Sequence, residues 1–118
     1  MPALNFKKQF AGLVESGEKR QTIRALRKDG RNPRPGQTLY LYTGMRTAFC
    51  RKLGEAQCLS VRQIAITESK CIEFDTRPAT SEEEEKIIRD DGFKCWHDFY
   101  DFFEKTHGLP FYGLLISW

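Results

Sequence analysis

The apolar residues of this chain change their spacing along its length, and that change constrains the fold more than any other feature. Phe6, Phe10, Leu13 and Val14 recur at helical spacing, with Lys7, Lys8 and Glu15 on the other side. Asn5 as N-cap and Gly17 as the C′ residue delimit an N-terminal helix of about three turns. The period then shortens. Gln37 to Thr43 reads as a strand in which Leu39 and Leu41 alternate with Tyr40 and Tyr42. Gly44-Met45 is a turn, and Thr47 to Leu53 a second strand. Gly54 to Thr67 is a longer β segment, broken near Leu59-Ser60, where imperfect alternation of Val61, Ile64 and Ile66 predicts a bulge or bend. Cys71 to Phe74 is a further short strand.

Helical spacing returns after Arg77-Pro78-Ala79-Thr80. Ser81 followed by Glu84 has the form of a capping box, and Ile87 and Ile88 give the helix behind it one apolar patch. Asp90-Asp91-Gly92-Phe93 interrupts this helix. Another starts near Lys94, with Trp96, Phe99, Tyr100 and Phe103 forming a core stripe, and Gly108 stops it. Phe111 to Trp118 is a last strand. One helix, a cluster of short strands, two helices and a strand predict an α+β fold around a small barrel-like sheet.

The chain has 118 residues, which sets a single domain over 1–118, because smaller pieces would bury too little core. A hydrophobic share of 40% beside 30% charged residues is a globular balance. No apolar run approaches the roughly 20 residues that cross a bilayer, and the N-terminus lacks a signal-peptide core, so a cytoplasmic protein is expected; of the oligomeric states left open, a monomer is favoured. Cys50, Cys58, Cys71 and Cys95 include no CxxC pair and read as reduced thiols. No ligand set has metal-site spacing, no GxGxxG, Walker loop or HExxH is present, and no cofactor is expected.

Charge is unevenly placed. Lys19, Arg20, Arg24, Arg27, Lys28, Arg31 and Arg34 are opposed within 19–34 only by Asp29, a distribution suited to a nucleotide or polyanion. Glu82 to Glu85 have a local explanation at the positive end of a helix dipole. The segment Gly17-Glu18-Lys19-Arg20-Gln21-Thr22-Ile23-Arg24 gathers a primary amine, a hydroxyl and two guanidiniums beside one aliphatic residue. In an extended chain Thr22 and Arg24 share a face while Ile23 turns to the core. Lys19 meets Thr22 only if the chain bends after Gly17.

Four features together resemble the ASCH domain, a small β-barrel of the PUA-like superfamily. They are Gly17-x-Lys19-x-x-Thr22-x-Arg24, the Pro35-Gly36-Gln37 turn before a strand, Asp91-Gly92-Phe93 leading into an aromatic helix, and the closing Tyr112-Gly113-Leu114-Leu115-Ile116-Ser117-Trp118. Within that superfamily the chain is similar to the small bacterial amidohydrolases that deacetylate N4-acetylcytidine. The resemblance implies a metal-independent hydrolase in which Lys19, Thr22 and Asp91 are catalytic. The family enzymes carry glutamate where this chain has the shorter Asp91, and Asp90 stands beside it. Other ASCH proteins are linked to RNA binding or cleavage, so the resemblance implies either a modified nucleoside or RNA as partner.

The chemistry asks specific things of these residues. A threonine hydroxyl becomes a nucleophile only when a base takes its proton, and a lysine serves as that base only well below its usual pKa. Partial burial and the charges of Arg20 and Arg24 push Lys19 that way, while a nearby Asp91 pushes back. Asp91 is the candidate either to orient Lys19 or to protonate the departing amine, and Arg24 or a backbone N–H is the candidate oxyanion partner. Arg24, Arg20 and Tyr40 are the candidate substrate-binding residues, with Tyr42 and Phe93 as further stacking candidates. Two readings follow: an amidohydrolase acting on N4-acylated cytidine or a related nucleoside, and a non-catalytic RNA-binding module.

Overall fold

The structure, a computed structural model, describes residues 2–75 and 77–118. In chain order its elements are β1 (Ala3–Phe6), α1 (Lys8–Ser16), β2 (Gln21–Ala25), β3 (Thr38–Thr43), β4 (Arg51–Gln57), β5 (Ser60–Ile66), β6 (Ile72–Phe74), α2 (Ser81–Asp90), α3 (Trp96–His107) and β7 (Phe111–Ser117). The strands form a three-stranded sheet, β1-β3-β4, and a four-stranded sheet, β2-β7-β5-β6. The architecture is α+β, as the changing apolar period requires. Among the described residues the two ladders remain separate and do not close into one barrel.

Four local expectations are corrected. Phe6 and Asn5 belong to a strand: Ala3–Phe6 pairs parallel with β3, Leu4 opposite Leu41. Leu4 and Phe6 alternate with Ala3 and Asn5, a pattern too short to separate from the helical spacing of Phe6 and Phe10. Asn5 therefore caps nothing; its Oδ1 accepts from Met45 N at 3.0 Å, and α1 starts behind Lys7 without a side-chain cap. The α2 capping box is Thr80 with Glu83, one residue before the expected pair. Thr47 to Cys50 are turns, Thr47 N donating to Gly44 O and Cys50 N to Thr47 O, so β4 begins only at Arg51. The break expected near Leu59-Ser60 is present as the connection between β4 and β5, but the bulge lies between β3 and β4, at Leu41/Tyr42, and β5 pairs with β7 without interruption.

β7 is the axis of the larger sheet, antiparallel to β2 on one side and to β5 on the other. Leu114, Leu115 and Ile116 are all buried, so this strand has apolar cover on both faces. The aromatic stripe of α3 supplies part of that cover. Phe99, Tyr100 and Phe103 are buried, Phe103 meets Phe111 at 5.3 Å, and Trp96 is instead exposed. The sheets are stitched where the chain passes from β4 to β5. Cys58 N donates to Gln37 O and Gly36 N to Cys58 O, both at 2.8 Å, and Leu59 N donates to Ser117 O at the same distance.

Gly113 stands opposite Ala25 in β2 and Ile64 in β5. A Cβ there would overlap the carbonyl oxygen of Arg24 and crowd the Phe111 ring. Since the obstacle is backbone, the strain cannot be absorbed by a rotamer change. Gly113→Ala is expected to cost about 1–3 kcal/mol, as overpacking does. Denaturant unfolding checks this; an unchanged midpoint would show that β2 and β7 are not so closely apposed.

Candidate active site

The bend after Gly17 exists and has a physical cause. Gly17 caps α1 in the left-handed region, φ 83°, and Lys19 N then donates to Leu13 O at 2.9 Å. The chain is thus folded back along the last turn of α1 before it enters β2. Lys19 is turned inward, only 2% exposed, and its ammonium lies 4.8 Å from the centre of the Phe10 ring.

Asp91 arrives from the opposite side. It closes the C-terminus of α2, its N–H bonded to Ile87 O, and Gly92 follows at φ 97°. A Cβ on Gly92 would press on Phe10 and Leu13 at 3.1 and 3.2 Å, so this turn packs directly on α1. The close packing brings Asp91, 4% exposed, to Lys19. Lys19 Nζ donates to the Asp91 carbonyl oxygen and lies 3.0 Å from Oδ1. Oδ1 is fully buried, and that ion contact is not aligned as a hydrogen bond. Asp90, by contrast, is partly exposed and pairs with Lys86 at 2.7 Å. Of the two neighbouring carboxylates, only Asp91 joins the site.

Thr22, 5% exposed, follows on β2, where its Oγ1 accepts from Arg24 Nε at 3.0 Å, so the two share a face as strand alternation requires. Arg24 is spread over the Phe6 ring at 4.8 Å and donates through Nη2 to Asn5 O at 2.6 Å. Lys19, Thr22, Arg24 and Asp91 all line one cavity of about 270 Å³ between β1, α1, β2 and α3. Arg20 and Tyr40 do not. Arg20 is exposed and donates to Gly17 O at 3.2 Å; Tyr40 is half-buried in the smaller sheet, 5.6 Å below the Lys52 ammonium. Tyr42 and Phe93 do not line the cavity either.

Its aromatic walls are Phe6, Phe10, Phe102 and Phe103, with His107 and Thr106 at the end of α3. The spacing from Phe99 through Phe102 and Phe103 to Thr106 and His107 carried this signal, since those positions continue one helix face. Following the neighbouring stripe of Trp96, Phe99, Tyr100 and Phe103 as core passed over it.

Burial sets the electrostatics. It lowers the Lys19 pKa from its ordinary 10.5; Asp91 draws it back upward, and Arg24 adds a smaller downward push. Arg20 has no part in that balance. Burial also pushes the Asp91 carboxyl up to about 6, against the pull of Lys19 above all. Arg24 falls to about 10, mainly through burial, with Asp91 opposing and Arg27 adding to the fall. His107 is lowered by burial, Lys7 and Arg24. Burial thus holds both members of the Lys19–Asp91 pair closer to neutrality than free side chains.

Among the described residues no three His, Cys, Asp or Glu side chains converge as a metal site, and no helix is long and apolar enough to cross a membrane. The chain matches no protein-family model, no curated protein and no solved structure.

The pair predicts an unusual pH response. A carboxyl raised in the folded state binds its proton more readily folded than unfolded. Its share of stability is therefore present at low pH and is lost as pH rises from about 4 towards 6. Lys19→Met removes the cation and leaves the carboxylate buried, which is expected to cost about 3–5 kcal/mol near pH 7. Protonating Asp91 relieves that cost, so the variant should regain stability relative to wild type on acidification to about pH 5. Denaturant melts at both pH values measure it; a deficit independent of pH would contradict the buried pair.

Proposed function

We propose that this chain is an ASCH-type domain of the PUA-like superfamily, acting as a metal-independent amidohydrolase on N4-acylated cytidine or a related modified nucleoside. The observation that carries this reading is the convergence of Lys19 and Thr22 with Asp91, which is 72 residues from Lys19 in sequence, on one aromatic-walled cavity. Phenyl rings line this cavity, and a base stacks on such rings without a base-specific hydrogen bond.

In this reading Thr22 Oγ attacks the acyl carbonyl carbon as its proton passes to neutral Lys19. The oxygen of the tetrahedral intermediate gains charge and is met by the Arg24 guanidinium. Collapse breaks the bond to the exocyclic nitrogen, which takes a proton from the Lys19–Asp91 pair and leaves as the amino group of cytidine. Water then hydrolyses the threonyl ester, Lys19 again acting as base, and the carboxylic acid departs. The shorter aspartate suffices because the α2–α3 turn is packed against α1, which delivers its carboxylate to 3.0 Å from the ammonium.

Thr22→Val keeps the shape of the strand residue and removes the nucleophile. Release of cytidine from N4-acetylcytidine should fall by more than about 100-fold, at the scale of lost proton-transfer catalysis. For the wild type, kcat/KM should rise with pH as Lys19 loses its proton, with a midpoint below 10.5. Asp91→Asn removes the influence that raises Lys19, so this rise should move to lower pH while kcat drops for want of the acid. Turnover that survives in Thr22→Val, or a limb that stays in place in Asp91→Asn, would contradict these roles.

A second reading, an RNA-binding or RNA-cleaving ASCH-type module, is favoured by one observation: Lys28, Arg31 and Arg34 are exposed on the loop behind β2. The loop is shaped by Asn32 Oδ1 accepting from Arg27 N and Asp29 Oδ1 from Arg31 N, both at 2.9 Å. Fluorescence titration with single-stranded RNA at two salt concentrations tests it. This reading predicts a log–log salt slope of about −0.7 per phosphate contacted, and absence of binding at low salt removes it.

A further inference from the structure

A second cavity, of about 200 Å³, lies on the far side of Arg24 from the catalytic pair. Leu4, Leu114 and Ile116 form its floor, and Arg24, Arg27, Asn32 and Pro33 surround it. Arg24 and Ala25 line both cavities, so the two are neighbours along β2.

The arginines are held by the free edge of β1. Pro2 O accepts from Tyr40 N and Phe6 O from Thr43 Oγ1, both on β3. The carbonyls of Ala3 and Asn5 receive Arg27 Nη2 at 3.0 Å and Arg24 Nη2 at 2.6 Å. Carbonyls two residues apart on a strand are about 7 Å apart, so the two guanidiniums are held at roughly the separation at which one tetrahedral anion bridges both. Each arginine offers five N–H donors. The hydrogen bonds among the described residues engage two groups of Arg24, Nε and Nη2, and one of Arg27, Nη2.

Neither guanidinium forms an ion pair among the described residues, although the exposed Arg51 and Arg77 both do. The one carboxylate acting on Arg24 is Asp91, already engaged by Lys19. Lys7 and His107 add further nitrogen groups at the rim of the first cavity. Two planar forks held side by side without a carboxylate, beside a base-sized cavity, match the recognition of phosphate oxygens.

The geometry points to a phosphate subsite at Arg24 and Arg27, so that the substrate is a nucleotide or an RNA residue and not the free nucleoside. This rests on the proposed nucleoside site for the base, but its phosphate half is testable separately. A terminal monophosphate and an internal phosphodiester present the same oxygens to the arginines.

Calorimetric titration of the wild-type protein with cytidine, cytidine 5′-monophosphate, a cytidine trinucleotide without terminal phosphates, and ribose 5-phosphate separates the cases. The monophosphate or the trinucleotide should bind about tenfold or more tighter than cytidine, as expected for charge-assisted hydrogen bonds. Preference for the first marks a nucleotide, and preference for the second RNA. Arg27→Gln should remove that advantage and leave cytidine affinity unchanged, and Arg27→Lys, which keeps charge without the fork, should restore only part of it. Thermal melts report whether the β1 edge survives in each variant, and the wild-type comparison stands whether or not it does. Ribose 5-phosphate binding with no cytidine binding upholds the subsite and removes the nucleoside reading. Cytidine binding with no gain from either phosphate overturns the subsite and leaves the nucleoside reading in place. Absence of binding by all four overturns both.

Discussion

The site depends on the contact between Lys19 and Asp91. A lysine and an aspartate this deeply buried are costly to desolvate, and their attraction offsets that cost only when the geometry holds. The contact ties the end of α1 to the end of α2, so the same packing that shapes the core positions the polar groups of the cavity. It also explains the turn residues. Gly17 reverses the chain onto α1, and Gly92 permits the α2–α3 turn to lie against Phe10. A stability role alone would be served as well by apolar side chains of similar volume. Retaining a charged pair beside a cavity, with burial favouring the neutral form of each, is what proton transfer requires.

Around that pair the protein divides its labour between two sheets. β2 presents Thr22 and Arg24 from the edge of the larger sheet, and β1 lends backbone carbonyls from the edge of the smaller one. The arginines therefore work at a seam, joining strand edges that share no ladder while keeping donors available. β7 fixes the position of β2 through Gly113, whose missing side chain lets the backbone at Arg24 come close. Aromatic rings from β1, α1 and α3 then enclose the space above Lys19.

Much of this was legible in the sequence, for identifiable reasons. The longer segments lie close to their expected places: α3 and β3 follow their apolar spacing, α2 runs between its cap and the Asp91-Gly92 turn, and β7 covers all but the last residue expected of it. The grouping of Lys19, Thr22 and Asp91 came from the family resemblance, with Arg24 added by strand alternation, and it needed a bend that glycine provides cheaply. Asp90 and Asp91 are indistinguishable by composition. What separates them is which one faces α1 at the helix end. β1 was hidden because four alternating residues overlap the start of a helical pattern. Arg20 and Tyr40 were misplaced for a related reason: strand alternation gives a face but not the partner that covers it. The place of Phe6 in the cavity wall and the Arg24–Arg27 seam arise from contacts between elements far apart in sequence, and no local pattern encodes them.

The central claim is that burial, and not simple ion pairing, governs the protonation of Lys19 and Asp91. Direct NMR titration of the Lys19 side chain and the Asp91 carboxyl in the folded protein tests it without reference to any substrate. The account predicts that the lysine loses its proton below its ordinary 10.5, and that the aspartate takes one up near pH 6. A lysine that titrates above 10.5, with an aspartate below 3.8, would mean an ordinary stabilising salt bridge and would contradict the account.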